Sequence, residues 1–185
     1  MYYKILPVVL SLVFVPCVAW AEKHDHKHEH EETRQGHVHE HGVSALKIAI
    51  EGKQIEMELE APGHDIVGFE HEAKSDEDKA AVEKAIKLLK QPLSLISFPA
   101  KAGCKLASSE VEVHKEGEEG HAEFHVHWGF TCTDMNAITP LKTKIFSHFP
   151  NMEEIEIEAI SEKGQTAIEL EKGSVEIDLS AVVGS

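Results

Sequence analysis

Apolar and polar residues alternate over two neighbouring stretches of the chain. Residues 46–50 have the pattern Leu-x-Ile-x-Ile, and residues 55–59 have the pattern Ile-x-Met-x-Leu with glutamate in between. A period of two is typical of a half-buried strand, and the Glu-Gly-Lys sequence at residues 51–53 is typical of a turn. The pattern therefore predicts a β-hairpin that begins near Val43 and has an acidic outer face.

The spacing of apolar residues then changes to that of a helix. The Ala-Pro-Gly sequence at residues 61–63 ends the alternation and predicts a loop over residues 64–73. Ser75, with an aspartate three residues later, resembles a capping box, and apolar residues follow at helical spacing until Pro92. These features predict an amphipathic helix over residues 76–90.

Further alternation predicts five more strands, which cover residues 105–114, 121–132, 153–160, 166–170 and 175–179. Pro140 predicts the start of a second, shorter helix that ends at Pro150. Runs of adjacent strands with only two helices favour an α+β fold, with a mainly antiparallel sheet and the helices on one side. The order strand, strand, helix, strand occurs in residues 43–98 and again in residues 104–160, which suggests a β-β-α-β pseudo-repeat.

The first 21 residues have the three parts of a secretory signal peptide. Lys4 precedes an apolar stretch over residues 5–18, and Ala-Trp-Ala at residues 19–21 is a small-x-small cleavage pattern. The alternatives are a retained membrane anchor and a lipoprotein attached at Cys17, which Pro16 before it disfavours. We therefore expect an exported protein of three parts: a signal peptide over residues 1–21, a tail over 22–42 and a domain over 43–185.

The charge of the chain indicates which partners it avoids. The sequence has 18 Lys and Arg against 33 Asp and Glu, a formal charge of −15, and removal of the segment that contains Lys4 makes it −16. So large a negative charge repels nucleic acid and anionic membrane surfaces. Cations are the expected partners, and no membrane insertion is expected after cleavage.

The tail carries half of the 14 histidines of the chain and almost no large apolar residue, so we expect it to be disordered. In an extended chain, side chains two residues apart point the same way, so each His-x-His pair can hold one zinc, copper or nickel ion. No unique ligand set is specified, which indicates capture at low affinity. The alternatives, a solvated linker or a cloning tag, fit the irregular spacing less well. The tail histidines are His24, His26, His28, His30, His37, His39 and His41.

A second group of candidate ligands occupies alternate positions of one predicted strand: His121, Glu123, His125 and His127. Neighbours in such a row are too far apart for one ion to use them all, so a mononuclear site needs groups from elsewhere. His41, Glu70 and His71 are the best candidates to complete it. His64, His114 and His148 each stand alone and are interpreted as ordinary surface or partly buried histidines.

Two cysteines remain after signal cleavage, Cys104 and Cys132. An even number in an oxidising compartment indicates a disulfide, and only one pairing is available. The alternative is a pair of zinc thiolates, although the Cys-x-x-Cys spacing of such sites is absent.

Six short motifs occur in a fixed order along nearly the whole mature chain. They are His39-Glu40-His41-Gly42, Gly68-Phe69-Glu70-His71, Ala102-Gly103-Cys104, His121-x-Glu123-Phe124 with Phe130-x-Cys132, Phe149-Pro150 with Glu153-Glu154-Ile155, and Gly164-Gln165 with Leu170. Together they closely resemble the ZrgA-type periplasmic zinc-binding proteins, a family long catalogued as a domain of unknown function.

The resemblance implies binding and delivery of Zn²⁺ without catalysis, in support of zinc uptake beside a zinc ABC importer. The family positions that match are His39, His41, Glu70, His71, His121, Glu123 and the two cysteines. His125 and His127 lie outside the family pattern and are either extra ligands or surface residues.

Two other functions stay open at this point. A zinc hydrolase would use Glu70 or Glu123 as a general base, but no His-Glu-x-x-His helix, nucleophile elbow or phosphate loop occurs in the sequence. A nickel or copper chaperone would use the same imidazoles. The residue chemistry does not separate zinc from nickel, and only the resemblance favours zinc.

Overall fold

The computed structural model describes residues 40–116 and 121–184. Nine strands lie among them: β1 (Val43–Glu51), β2 (Gln54–Pro62), β3 (Ile96–Ser97), β4 (Lys105–Glu116), β5 (His121–Thr131), β6 (Leu141–Thr143), β7 (Glu154–Ser161), β8 (Gly164–Glu171) and β9 (Glu176–Ile177). Four α-helices accompany them: α1 (Gly63–Val67), α2 (Asp76–Leu89), α3 (Ile145–His148) and α4 (Ser180–Val183). Single 3₁₀ turns lie at Pro92–Ser94, Ala100–Ala102 and Met135–Ala137. The predicted α+β class is confirmed, with four helices where the sequence predicts two.

Six strands form the main sheet in the order β4-β5-β2-β1-β7-β8. All neighbouring pairs are antiparallel except β1 and β7, which run parallel. The three shortest strands form a second, antiparallel sheet in the order β3-β6-β9. The predicted hairpin is confirmed as β1 and β2, and it lies at the centre of the main sheet with β5 on one side and β7 on the other.

One face of the main sheet supplies most of the core. On β5 the apolar side chains at alternate positions, from Phe124 to Phe130, are fully buried, as the sequence predicts. Helix α2 packs on this face, where the carbonyl oxygen of the buried Leu89 accepts a hydrogen bond from Nε1 of Trp128 at 2.8 Å. The alternation leaves the histidines and glutamates of these strands on the opposite, outer face.

The first predicted helix is confirmed as α2. Its N-cap is Ser75, whose Oγ accepts a hydrogen bond from the backbone N–H of Asp78 at 3.0 Å, as expected for a capping residue. The predicted loop over residues 64–73 is only partly correct, because it begins with α1. The short helix forms because Asp65 and Ile66 find partners in the interior, which a local sequence pattern does not show.

The predicted second helix over residues 140–149 is mostly wrong. Leu141 and Thr143 are buried while Lys142 between them is exposed, so this stretch is strand β6, and only Ile145–His148 is helical. Leu141 pairs with Ile177 of β9, a partner 36 positions away that outweighs the local helical spacing. The last predicted strand, 175–179, shortens to β9, because only two of its residues pair with β6.

The two halves of the suggested pseudo-repeat are not equivalent in space. Each half contains a hairpin, a helix and a further strand, but β3 lies in the small sheet whereas β7 lies beside β1 in the main sheet. Their helices also differ, with 14 residues in α2 and four in α3. None of the helices among the described residues is long and apolar enough to cross a membrane. The predicted signal peptide lies outside the described residues, as does the predicted tail up to His39.

Candidate metal centre

The carboxylate of Glu70 lies between two imidazoles, beside the first residue of β5. Its Oε1 is 3.0 Å from Nε2 of His41, and its Oε2 is 2.6 Å from Nδ1 of His121. The Glu70 side chain is only 11% exposed, whereas both imidazoles are about half exposed. Three of the ligands predicted from the sequence therefore come together, and each imidazole contacts a different oxygen of one carboxylate.

Three separate parts of the fold supply these side chains. His41 lies two residues before β1, Glu70 follows α1, and His121 is the first residue of β5. The backbone N–H of Ala122 donates to the carbonyl oxygen of Glu70 at 2.8 Å, which ties the loop to β5. Gly63 permits this approach, because a Cβ there would lie 2.8 Å from the carbonyl oxygen of Ala122.

Asp65 holds the turn that carries His41 in place. Its Oδ1 accepts a hydrogen bond from the backbone N–H of Gly42 at 2.7 Å, and its Oδ2 accepts one from Oγ of Ser44 at 2.9 Å. Gly42 has a φ of +92°, a conformation that other residues adopt only at a cost. The segment that carries His41 is therefore held by a buried carboxylate that no motif in the sequence indicates.

The electrostatics of Glu70 favour a bound cation. Burial raises the pKa of Glu70, but the contacts with His41 and His121 lower it more, so the net pKa lies below its usual range. Its Oε1 is buried and makes no aligned hydrogen bond among the described residues, although Nε2 of His41 lies 3.0 Å away as an ion-pair partner. A buried carboxylate oxygen without a donor is costly, and a metal ion would satisfy it.

The separation of one carboxylate oxygen of Glu70 from one nitrogen of His41 suits zinc. Two ligand atoms of a tetrahedral zinc ion lie about 3.3 Å apart, given bonds of about 2.0–2.1 Å. The 3.0 Å between Oε1 of Glu70 and Nε2 of His41 is close to that value. Imidazole nitrogen with carboxylate oxygen is also a donor set that zinc accepts.

His64 is a neighbour of this centre, although its isolated place in the sequence predicts an ordinary histidine. Its ring stacks on that of His41 with the centroids 4.8 Å apart, and its Nδ1 lies 3.4 Å from Oδ1 of Asp65. The only advance sign in the sequence is its place beside Asp65. His71, a predicted ligand, stacks on Phe69 at 4.6 Å and contacts the carbonyl oxygen of Glu72, so no described contact joins it to Glu70.

The remaining predicted ligands follow the outer face of β5. Oε2 of the buried Glu123 is 2.7 Å from Nε2 of His125, and Nε2 of His127 is 3.8 Å from Oε1 of Glu58. Glu58 and Glu60 of β2 lie beside His125, and the alternating pattern predicts both only as part of an acidic face. His114, interpreted as ordinary, packs edge-on against His125 with the ring centroids 4.6 Å apart.

The described residues do not include His24, His26, His28, His30, His37 and His39. Cys104 and Cys132 form a disulfide, as the sequence predicts, so neither cysteine offers a thiolate to zinc. A family model described as ZrgA family zinc uptake protein matches residues 38–179.

The chain belongs to the ZrgA family of zinc uptake proteins. A comparison with curated proteins found no match. The ZrgA match includes His41, Glu70 and His121, and it begins at Val38, after the first five histidines of the tail. The ZrgA region and the predicted domain therefore nearly coincide, and most of the histidine tail precedes both.

Proposed function

We propose that this ZrgA protein is exported to the periplasm and binds Zn²⁺ at a centre built on Glu70, with His41 and His121 as imidazole ligands. His39 is the next proposed ligand, because it matches a family position and lies two residues before His41 in the sequence. The tail captures further ions at low affinity and passes them to this centre. The bound zinc is then delivered to a zinc ABC importer.

The observation that carries the proposal is the buried Oε1 of Glu70. It is placed close to an imidazole nitrogen yet has no aligned hydrogen-bond donor among the described residues. A cation between this oxygen and the imidazole nitrogen would bind both, which the present contact of the two groups does not replace. A carboxylate aimed at the position of a cation accounts for this arrangement.

Binding without catalysis is the form of zinc chemistry that we propose. Membership of a zinc uptake family supports this, since uptake requires capture and release and no bond is broken. Zinc is therefore the cargo of the protein. Absence of turnover by the zinc-loaded protein on ester, amide and phosphate substrates is the expected result, and measurable turnover would favour the hydrolase alternative.

The variant Glu70→Gln tests the centre, because it keeps the shape of the side chain and removes its charge. Calorimetric titration with zinc should show loss of the tightest binding event. Its Kd should rise by more than the 10- to 100-fold that loss of a merely orienting residue costs. Glu169→Gln is the matched control, because Glu169 is an exposed glutamate on β8. Equal effects of the two variants would overturn the centre at Glu70, and competition with nickel and copper tests the choice of metal.

A further inference from the structure

A second group of metal-ligating side chains lies on the outer face of the main sheet. One ligand atom from each of Glu58, Glu60 and His125 lies within 4.8 Å of the others, and all three residues are half-buried. The register explains this, because Glu60 of β2 pairs with His125 of β5 and Glu58 lies two residues away on the same face. His127, opposite Glu58 in the same register, adds a second imidazole beside the group.

The imidazole of His125 is held in place from two sides. Its Nε2 lies 2.7 Å from Oε2 of Glu123, whose side chain is 6% exposed. In the tautomer in which Nε2 donates to this carboxylate, the other ring nitrogen of the imidazole carries the lone pair that a metal ion would use. Carboxylates orient metal-binding histidines in this way. The ring of His114 packs against the other side of His125, with the centroids 4.6 Å apart.

A cation already lies against this group. Nζ of Lys47 is 2.9 Å from Oε1 of Glu60. This hydrogen bond raises the pKa of Lys47, burial lowers it, and the charges of Glu60, Glu58 and Glu158 raise it, with a net rise. The side chain of Lys47 is 47% exposed, so its ammonium can turn into solvent when another cation binds.

We propose that Glu58, Glu60 and His125 form a second binding site for a divalent transition-metal ion such as Zn²⁺, with His127 as the nearest further ligand. One imidazole with two carboxylates suits zinc, whereas calcium and magnesium prefer oxygen ligands alone. Ligand atoms of one zinc ion lie about 3.3 Å apart, a distance that rotation of the two glutamate side chains can reach. The bound ion displaces the ammonium of Lys47 from Glu60.

The second site goes beyond the proposed function, because it uses neither Glu70 nor the tail. His121 of the Glu70 centre and His125 are four residues apart on β5, which corresponds to about 13 Å along a strand. Glu123 lies between them and contacts His125. Two ions can therefore be held side by side along one strand.

The first test uses the unaltered protein, so it does not depend on the folding of a variant. Crystals grown with zinc chloride are measured above and below the zinc absorption edge. An anomalous peak bounded by Glu58, Glu60 and His125 is the expected result. A peak at Glu70 without one here would overturn the second site and leave the proposed function intact, and a crystal that binds zinc at neither place would overturn both.

The second test compares variants in solution by equilibrium dialysis against zinc. The double variant Glu58→Gln, Glu60→Gln should bind one zinc ion fewer than the unaltered protein, while Glu70→Gln retains this site. The control Glu169→Gln, Glu171→Gln removes the same charge from exposed positions of β8 and should lose none. Equal losses in the double variant and its control would mean that only net charge matters, which overturns the site.

The variant Lys47→Met separates metal coordination from a purely structural role of Glu58, Glu60 and His125, because only coordination predicts a change in zinc affinity. Without the competing ammonium, the second site should bind zinc about two- to fivefold more tightly, as expected for loss of one exposed ion pair. An affinity unchanged by Lys47→Met would count against coordination by Glu60, because an ion there must displace this ammonium.

Discussion

Asp65 accepts a hydrogen bond from the backbone N–H of Gly42 at 2.7 Å, although the two residues are 23 positions apart. The side chain of Asp65 is completely buried, and it also accepts a hydrogen bond from Ser44. Because Gly42 directly follows His41, this carboxylate fixes the position of His41 in the turn before β1. Asp65 is thus a positioning residue for the candidate metal centre.

Replacement of Asp65 by alanine should destabilise the fold by about 2–4 kcal/mol, because two hydrogen bonds to a charged acceptor are lost and their donors stay buried. Urea unfolding followed by the fluorescence of the buried Trp128 measures this loss. Ser44→Ala, which removes one of the two donors, should cost about 1.5–3 kcal/mol, because one oxygen of the buried carboxylate loses its partner. Zinc affinity should also fall in Asp65→Ala, and Asp65→Asn should restore part of it, because its amide oxygen can still accept from Gly42. Unchanged stability in Asp65→Ala would contradict the anchoring role.

Zinc affinity should fall as the pH is lowered. Imidazole binds zinc only when neutral, and a histidine side chain ordinarily gains its proton near pH 6.5. For two imidazole ligands, the affinity at pH 5.5 should be about 100-fold lower than at pH 7.5. Protonation of Glu70 does not contribute to this pH dependence of zinc affinity, because its pKa lies below its usual range and the carboxylate stays ionised at both pH values. Calorimetry at the two pH values provides the measurement, and equal affinities would show that histidine is not the ligand.

The sequence predicts those parts of the fold that depend on local periodicity. The hairpin of β1 and β2, helix α2 and the buried face of β5 all follow from spacing within ten to fifteen residues. The error at Leu141 has the opposite cause, because its helical spacing is outweighed by pairing with Ile177. Helix α1 likewise depends on the buried contacts of Asp65 with Gly42 and Ser44.

The candidate sites are only partly predictable for the same reason. His41, Glu70 and His121 can be grouped by family motifs, and the structure brings them together. The closeness of Glu60 to His125 depends on the register between β2 and β5, two strands far apart in the sequence. Alternation assigns both side chains to outer faces, but it does not say which strands are neighbours.

Deletion of residues 22–38 should lower the number of zinc ions bound and leave the tightest event in place. The deleted segment contains five histidines in His-x-His spacing, while His39, His41, Glu70 and His121 remain. A dialysis measurement of stoichiometry together with calorimetry separates the two effects. A variant with the same segment in which each histidine is replaced by glutamine is the matched control for chain length. Loss of all binding in either variant would contradict a separate centre in the domain.

Removal of the disulfide should weaken the fold without removing a zinc ligand. Cys104 and Cys132 are 28 positions apart, and a link that closes such a loop contributes about 3–4 kcal/mol on the chain-entropy model. The double variant Cys104→Ser, Cys132→Ser should lose about this amount in urea unfolding, and the unaltered protein in reducing agent should lose a similar amount. The double serine variant should bind as many zinc ions as the unaltered protein, since in the unaltered protein both sulfurs form the disulfide and neither is a zinc ligand. One zinc ion fewer in the serine variant would instead support the thiolate alternative.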